Sequence, residues 1–234
     1  MSLFRRILVT NVFVQLLAVA TPLLADPLVI GETFTLQSKV LNETRRINVY
    51  LPAAYSETPS TCLPVLYMPD GGMGEDFLHV AGLVQVSAGN GTMRPFIVVG
   101  IENTERRRDL TGPTEVSSDR KIAPRVGGSE KFRSFLREEL LPLVNKRYRT
   151  TSERAIVGES LAGLFVVETL LLEPELFNTY IAFDPSLWWN GQKLTLDAPK
   201  TLDARSKLEK TLYIANSADG IPEMTQQFAG VLVK

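Results

Sequence analysis

Cysteine and histidine are almost missing from this chain: Cys62 and His79 are each the sole residue of their type. A lone cysteine excludes an internal disulfide and any cysteine-based zinc cluster within these residues, and a lone histidine excludes a histidine-rich metal site. Net charge is nearly absent too, at −1 from 25 basic and 26 acidic residues. No Lys/Arg stripe alternates with aromatics, so nothing in the pattern points to nucleic acid as a partner. Internal repeats and low-complexity tracts are also lacking. What is present is 44% hydrophobic and 22% charged over 234 residues, which suits one globular domain with a sizeable core.

The one long apolar run lies at the start. Arg5 and Arg6 precede Ile7 to Leu24, and the run closes on the small residues Ala18, Ala20 and Ala25 before Asp26. A basic, then apolar, then small-residue order reads as a secretory signal over residues 1–25, leaving 26–234 as an exported, periplasmic or extracellular domain. The competing reading is a membrane anchor, which Thr10, Asn11, Gln15 and Pro22 weaken. With the signal removed, no stable membrane insertion is expected. No cysteine stands directly after the run, which excludes a lipoprotein anchor there.

Beyond the leader the periodicity alternates between strand and helix. Phe34, Leu36 and Val40, then Ile47, Val49 and Leu51, alternate with polar residues on either side of Asn42-Glu43 and predict two antiparallel strands. Pro64 to Met68 predicts a short buried strand running into Pro69-Asp70-Gly71-Gly72, and Phe96 to Ile101 a second, with a helix between them marked by Phe77, Val80, Ala81 and Val84. Strand, helix, strand implies a parallel sheet. Residues 102–128 show no periodicity and carry Arg106, Arg107 and Arg108, predicting a long loop over the functional end of the sheet. A helix from Ser129 must kink or end at Pro142. Strands at Ala155–Val157, Tyr180–Phe183 and Thr211–Ala215 follow, with a buried helix from Leu161 to Leu172 and a last helix from Glu223 to Val233.

The chemistry concentrates at Gly158-Glu159-Ser160-Leu161-Ala162-Gly163, which joins a strand to an apolar helix. A serine on so tight a turn needs small neighbours two positions away, and Gly158 and Ala162 meet that need. The helix start behind it offers free N–H groups and a positive dipole end to a developing oxyanion. Position 162 is Ala where the strict G-x-S-x-G pattern has Gly. The plainer alternative is a serine capping a helix on a glycine turn. Backbone N–H groups of Gly71 and Gly72 pair naturally with that of Leu161 as an oxyanion hole, although an ordinary turn fits Gly71-Gly72 equally well.

These segments together resemble a known family. Val65 to Gly71, Phe96 to Thr104 with Arg108-Asp109-Leu110-Thr111, Phe135 to Leu140 through Tyr148-Arg149-Thr150, Gly158-Glu159-Ser160, and Asp184-Pro185-Ser186-Leu187-Trp188-Trp189-Asn190 are similar in order and spacing to the putative-esterase family of α/β-hydrolases. That group includes esterase D-like, feruloyl, acetyl-xylan and enterobactin-type esterases. The resemblance implies an α/β-hydrolase fold, a mostly parallel sheet with helices on both faces, and a serine carboxylic-ester hydrolase that forms an acyl-enzyme. It implies no metal and no organic cofactor, and a small-molecule or carbohydrate-linked ester as substrate.

In this fold the triad runs serine, acid, histidine along the chain. Asp219, just past the strand Thr211–Ala215, is the first candidate for the acid and Asp184 the second; either also fits a turn, beside Gly220 and Pro185. Family members continue with a further strand and a His-Gly loop, which is not found before Lys234, so a sheet truncated before its last strand is expected. His79 precedes the serine and falls on the helix after the glycine turn, where a surface or packing role is expected. Trp188, Trp189 and Asn190 are candidates for the substrate pocket, or for packing. A rival reading from another class is a ligand-binding protein on a hydrolase fold, or the remnant of a decayed esterase gene, using the tryptophans and the basic loop for recognition.

Overall fold

The structure, a computed structural model, describes residues 26–205 and 208–232, so the leader expected over residues 1–25 lies outside it. Seven strands form one sheet in the order β1-β2-β4-β3-β5-β6-β7. β1 (Glu32–Ser38) and β2 (Glu43–Tyr50) are the expected antiparallel pair, joined at Asn42, which sits at φ 55°. After the single-turn helix α1 (Ala53–Glu57) come β3 (Leu63–Pro69), α2 (Phe77–Gly89) and β4 (Ile97–Ile101). β4 pairs antiparallel with β2 and parallel with β3, which fuses the hairpin to the parallel half of the sheet. β5 (Thr150–Glu159), β6 (Thr179–Phe183) and β7 (Thr211–Ala215) extend it in parallel.

Both faces of the central strands are covered, which is why β3 and β4 read as continuous apolar runs. Leu66, Met68 and Val98 point to one face, where Phe77, Ala81 and Val84 of α2 close over them. Val65, Tyr67, Val99 and Ile156 point to the other. That larger layer holds α4 (Ser129–Phe135), α5 (Leu141–Arg147), α6 (Leu161–Leu172), α7 (Trp189–Asp203) and α8 (Pro222–Leu232). α6 is the central element: every side chain from Leu161 to Leu171 is buried, as its lack of a polar face requires. Among the described residues no helix is long and apolar enough to cross a membrane.

Three segments depart from the sequence reading. Residues 102–128 are not structureless; they contain the short helix α3 (Arg106–Asp109) and a 3₁₀ turn at Asp119–Lys121. The helix from Ser129 does not stop at Pro142. It switches to a π-helical stretch over Leu136–Leu140, and Pro142 falls in the first turn of α5, where its missing N–H and its ring are tolerated. α7 was not foreseen. Its first turn is left-handed at Asn190, Gly191 and Gln192, with φ of 50°, 60° and 65°, and Pro199 lies inside it.

Candidate active site

The site forms where three neighbouring parallel strands end. Register carries the argument: Glu159 of β5 lies opposite Phe183 of β6, and Phe183 lies opposite Ala215 of β7. One step further, Ser160, Asp184 and Asn216 leave the sheet side by side. On the other flank Tyr67 pairs with Ile156, so Asp70 leaves β3 beside Glu159. Asp70, Ser160 and Asp184 all adopt positive φ, at 57°, 58° and 42°. Such conformations in residues other than glycine cost about 1–3 kcal/mol each and persist only where the surroundings fix them.

At Ser160 the fixing contacts are visible. Its φ of 58° and ψ of −118° are held by Ser160 N donating to Phe183 O at 3.0 Å, Ser186 N to Ser160 O at 3.0 Å, and Leu164 N to Ser160 O at 2.9 Å. The turn is so tight that a Cβ on Gly158 would stand 2.5 Å from the carbonyl carbon of Ala162, and one on Gly163 would stand 2.8 Å from Phe183 O. Gly163 is thus as much a part of the elbow as the Gly158 and Ala162 pair foreseen from spacing. Gly158→Ala is expected to destabilise the fold by about 1–3 kcal/mol through this overpacking, measurable as a lowered urea midpoint.

A cavity of about 280 Å³ opens beside the serine, lined by Ser160, Glu159, Asp184, Ser186, Trp188 and Asp219 among others. Both acid candidates therefore reach the same space. The Ser160 hydroxyl lies 3.4 Å from that of Ser186, a residue the sequence reading passed over although it follows directly on Asp184-Pro185. Asp184 Oδ1 accepts from Ser217 N at 2.8 Å and Asn216 Nδ2 at 3.1 Å. The side chain of Ser217, then its backbone N–H, holds the Asp184 carboxyl below its ordinary value of 3.8. A depressed folded pKa means that the docking of this loop is fully present above that value and is lost as pH falls through the lower one. Exchange of the Ser217 amide hydrogen is expected to accelerate below about pH 4 ahead of the sheet amides, as hydrogen-exchange mass spectrometry can follow. Asp219 is exposed, with its N–H on Ser217 Oγ at 3.3 Å.

The oxyanion-hole candidates fare differently. Leu161 opens α6, so its N–H is one that the helix leaves without an internal partner, and it is buried beside the serine. Gly71 does not serve as expected: its N–H is donated to Ile101 O at 3.0 Å, and a Cβ there would lie 2.2 Å from Ile101 N. Gly72 is not among the residues lining the serine cavity, and its N–H is donated to the Glu75 carboxylate at 2.7 Å, while Glu75 N returns a bond to Gly72 O at 3.0 Å. The two bonds close a turn over Gly72–Glu75 ahead of α2, and the Gly-x-x-Glu spacing that permits it is visible in the sequence. Asn103 Nδ2 binds both Asp70 Oδ1 at 2.5 Å and Glu75 Oε1 at 3.0 Å, and Arg106 clamps Asp70 through Nε and Nη2, each at 2.7 Å.

Trp188 lines the serine cavity, whereas Trp189 and Asn190 do not. Trp189 Nε1 donates to Gly112 O at 2.9 Å, and Asn190 Oδ1 accepts from Glu115 N at 2.9 Å. Both therefore fasten the long loop to α7 and line a separate cavity of about 340 Å³ with Leu164 and Glu168. The arginines expected to give the loop a basic recognition surface are also engaged: Arg106 with Asp70, Arg107 with Ile122 O, and Arg108 with Glu43 and Asp109. His79 has a side chain 78% exposed, 3.4 Å from Asp76 on α2, and does not line the cavity. Among the described residues no group of three or more His, Cys, Asp or Glu is placed to hold a metal ion.

The family described as Putative esterase matches residues 38–219. The ferri-bacillibactin esterase BesA of Bacillus subtilis is 34% identical over 166 residues, covering 64% of this chain and 56% of that protein. The siderophore enterobactin esterase of Emericella nidulans is 35% identical over 111 residues, 44% of this chain and 37% of that protein. Among solved structures, an IroE-like serine hydrolase from Shewanella oneidensis superposes with a TM-score of 0.75 at 28% identity, over 87% of this chain and 69% of that one. The chain spans about half, or less, of the length of these curated relatives.

Proposed function

Since the chain belongs to the putative-esterase family and has the α/β-hydrolase fold, we propose that it carries the nucleophile of a serine carboxylic-ester hydrolase acting through an acyl-enzyme. The observation that carries this is Ser160 itself, a non-glycine residue held at φ 58° on a strand-to-helix turn, facing a cavity that is also lined by three carboxylates, Glu159, Asp184 and Asp219. In the proposed reaction the Ser160 oxygen attacks the ester carbonyl carbon while a base removes its proton. The oxyanion is received by the N–H of Leu161 and the dipole end of α6. Gly72 joins as second donor only when the Glu75 carboxylate leaves its N–H. The alkoxide departs with the proton from the base, and water then cleaves the acyl-serine by the same route in reverse.

His79 stands away from the cavity and is not the base in this reading, and Asp219 is the group that orients the histidine that serves. Relatives named as siderophore esterases favour a small-molecule ester over a polymer-linked one. That no histidine lines the cavity among the described residues also favours, as a second reading, a protein that binds an ester without cleaving it. One experiment separates the two. In the whole protein a fluorophosphonate is expected to modify Ser160, and Ser160→Ala to abolish both labelling and hydrolysis of simple aryl esters. Labelling at a different serine, or none alongside measurable ester binding, overturns the catalytic reading. Export with cleavage near Ala25 belongs to the same proposal, and N-terminal sequencing of the mature protein starting at Asp26 is its expected result.

A further inference from the structure

Ser186 sets a buried hydroxyl against the nucleophile, and the reaction as described so far gives it no part. The residue is 5% exposed, lines the same cavity as Ser160, and places its Oγ 3.4 Å from the Ser160 Oγ. That is the one side-chain hydrogen bond of Ser186 among the described residues. Burying a hydroxyl that lacks a close partner costs free energy that an alanine would avoid. The pairing is built into the main chain. Ser186 N donates to Ser160 O at 3.0 Å, Ser160 N donates to Phe183 O at 3.0 Å, and Trp189 N donates to Ser186 O at 3.1 Å. Pro185 fixes the backbone ahead of Ser186, and its Cα passes so near α6 that a Cβ on Gly163 would stand 3.1 Å from it. The elbow and the segment after β6 are thus locked together, and the two hydroxyls with them.

Resting on the esterase reading above, we propose that Ser186 is a further catalytic residue, a hydrogen-bond donor to the Ser160 oxygen that acts chiefly in hydrolysis of the acyl-enzyme. At rest either hydroxyl can donate to the other. Once the Ser160 proton has passed to the base, Ser186 alone of the pair has one to give. In the acyl-enzyme the Ser160 oxygen bridges to the acyl carbon and is a weak acceptor. After water has added to that carbon, the bond from carbon to the Ser160 oxygen breaks, its electron pair moves onto that oxygen, and the base returns a proton there. Ser186 keeps its own proton throughout. Its bond to the Ser160 oxygen strengthens as negative charge gathers there, which lowers the barrier. Acylation gains less, because the oxygen of a free hydroxyl is already a good acceptor before attack begins. A separation of 3.4 Å is long for a hydroxyl pair, and bonds of this kind tighten as the reacting complex forms.

The test uses the whole protein and p-nitrophenyl butyrate. Ser186→Ala is expected to lower kcat about tenfold, the loss of one hydrogen bond to an oxygen gaining charge. Its kcat/KM, which reports acylation, is expected to fall by no more than about threefold, so that KM falls as well. Rapid mixing is then expected to show a burst of nitrophenolate approaching about one per site, because the acyl-enzyme accumulates. Ser186→Cys is expected to behave like Ser186→Ala, since a thiol fills the space of the hydroxyl but donates weakly. It also gives the reading on a filled site if the alanine variant has a lowered urea midpoint. A kcat within about twofold of the unaltered protein overturns the proposal, as does an equal fall in kcat and kcat/KM without a burst. Full recovery in Ser186→Cys overturns it too, by making the role one of packing. Failure of a fluorophosphonate to modify Ser160 in the unaltered protein overturns the esterase reading itself, whereas modification there with intact turnover in Ser186→Ala removes only the part assigned to Ser186.

Discussion

In the whole protein, Asp219→Asn is expected to lower kcat by about 10⁴, the loss that follows when a triad acid can no longer hold its histidine in the right tautomer. Asp184→Asn is expected to cost far less. The two carboxylates share one cavity but differ in what occupies them. Asp184 accepts from Ser217 N and Asn216 Nδ2 through a single oxygen, Oδ1, and an asparagine carbonyl can take over both bonds. Its work is to pin the turn after β7, from which Asp219 projects. The carboxylate of Asp219 accepts no hydrogen bond among the described residues and is exposed, as a group awaiting a partner must be. Steady-state kinetics on the two variants, each checked for native circular dichroism, decide the matter: a reversed ranking makes Asp184 the acid and reduces Asp219 to a turn residue beside Gly220.

How far the sequence disclosed this site follows from the range of the forces that shape it. The elbow at Ser160 was legible because its constraints are local: Gly158, Ala162 and Gly163 lie within three residues of the serine and answer to one steric problem. The helix behind it was legible for a similar reason, since Leu161–Leu172 has no polar face and Pro174 must end it. The hydrogen-bond partners of Gly71 and of the tryptophans come from elsewhere in the chain. No periodicity reveals that the Gly71 N–H goes to Ile101, or that Trp189 reaches back to Gly112, so donors were assigned to chemistry that the fold spends on anchoring. α7 was missed although Leu194, Ala198 and Leu202 recur at helical spacing. Gly191 and Pro199 masked that rhythm, and the left-handed turn at 190–192 is stabilised by Asp119 and Glu115, contacts that only the tertiary structure supplies.

Asp109→Ala is expected to cost about 3 kcal/mol of stability, the low end of what breaking a buried ion pair takes. Arg45 is the reason. Its side chain is only 1% exposed, its guanidinium stands 5.3 Å and 5.9 Å from the ring centres of Phe132 and Phe135, and its charge is answered by Asp109 and Glu43. Removing the Asp109 carboxylate leaves that charge with Glu43, which Arg108 already shares at 2.8 Å. The remaining pair keeps the loss from reaching the upper end of about 5 kcal/mol. Urea unfolding should show the drop in midpoint, and Arg45→Met added to Asp109→Ala should recover much of it, because an apolar side chain fits the phenylalanine pocket without a charge to satisfy. The site should register the change as well. Asp109 closes α3, and Arg106 at the start of the same four-residue helix clamps Asp70 immediately before the glycine turn. Loss of the Asp109 anchor should therefore speed amide exchange at Asp70 and Gly71 in Asp109→Ala, and the Arg45→Met second change, which restores packing but not the anchor, should leave that local exchange fast while global stability returns. Exchange that recovers together with stability would mean that the long loop is held by its apolar contacts alone.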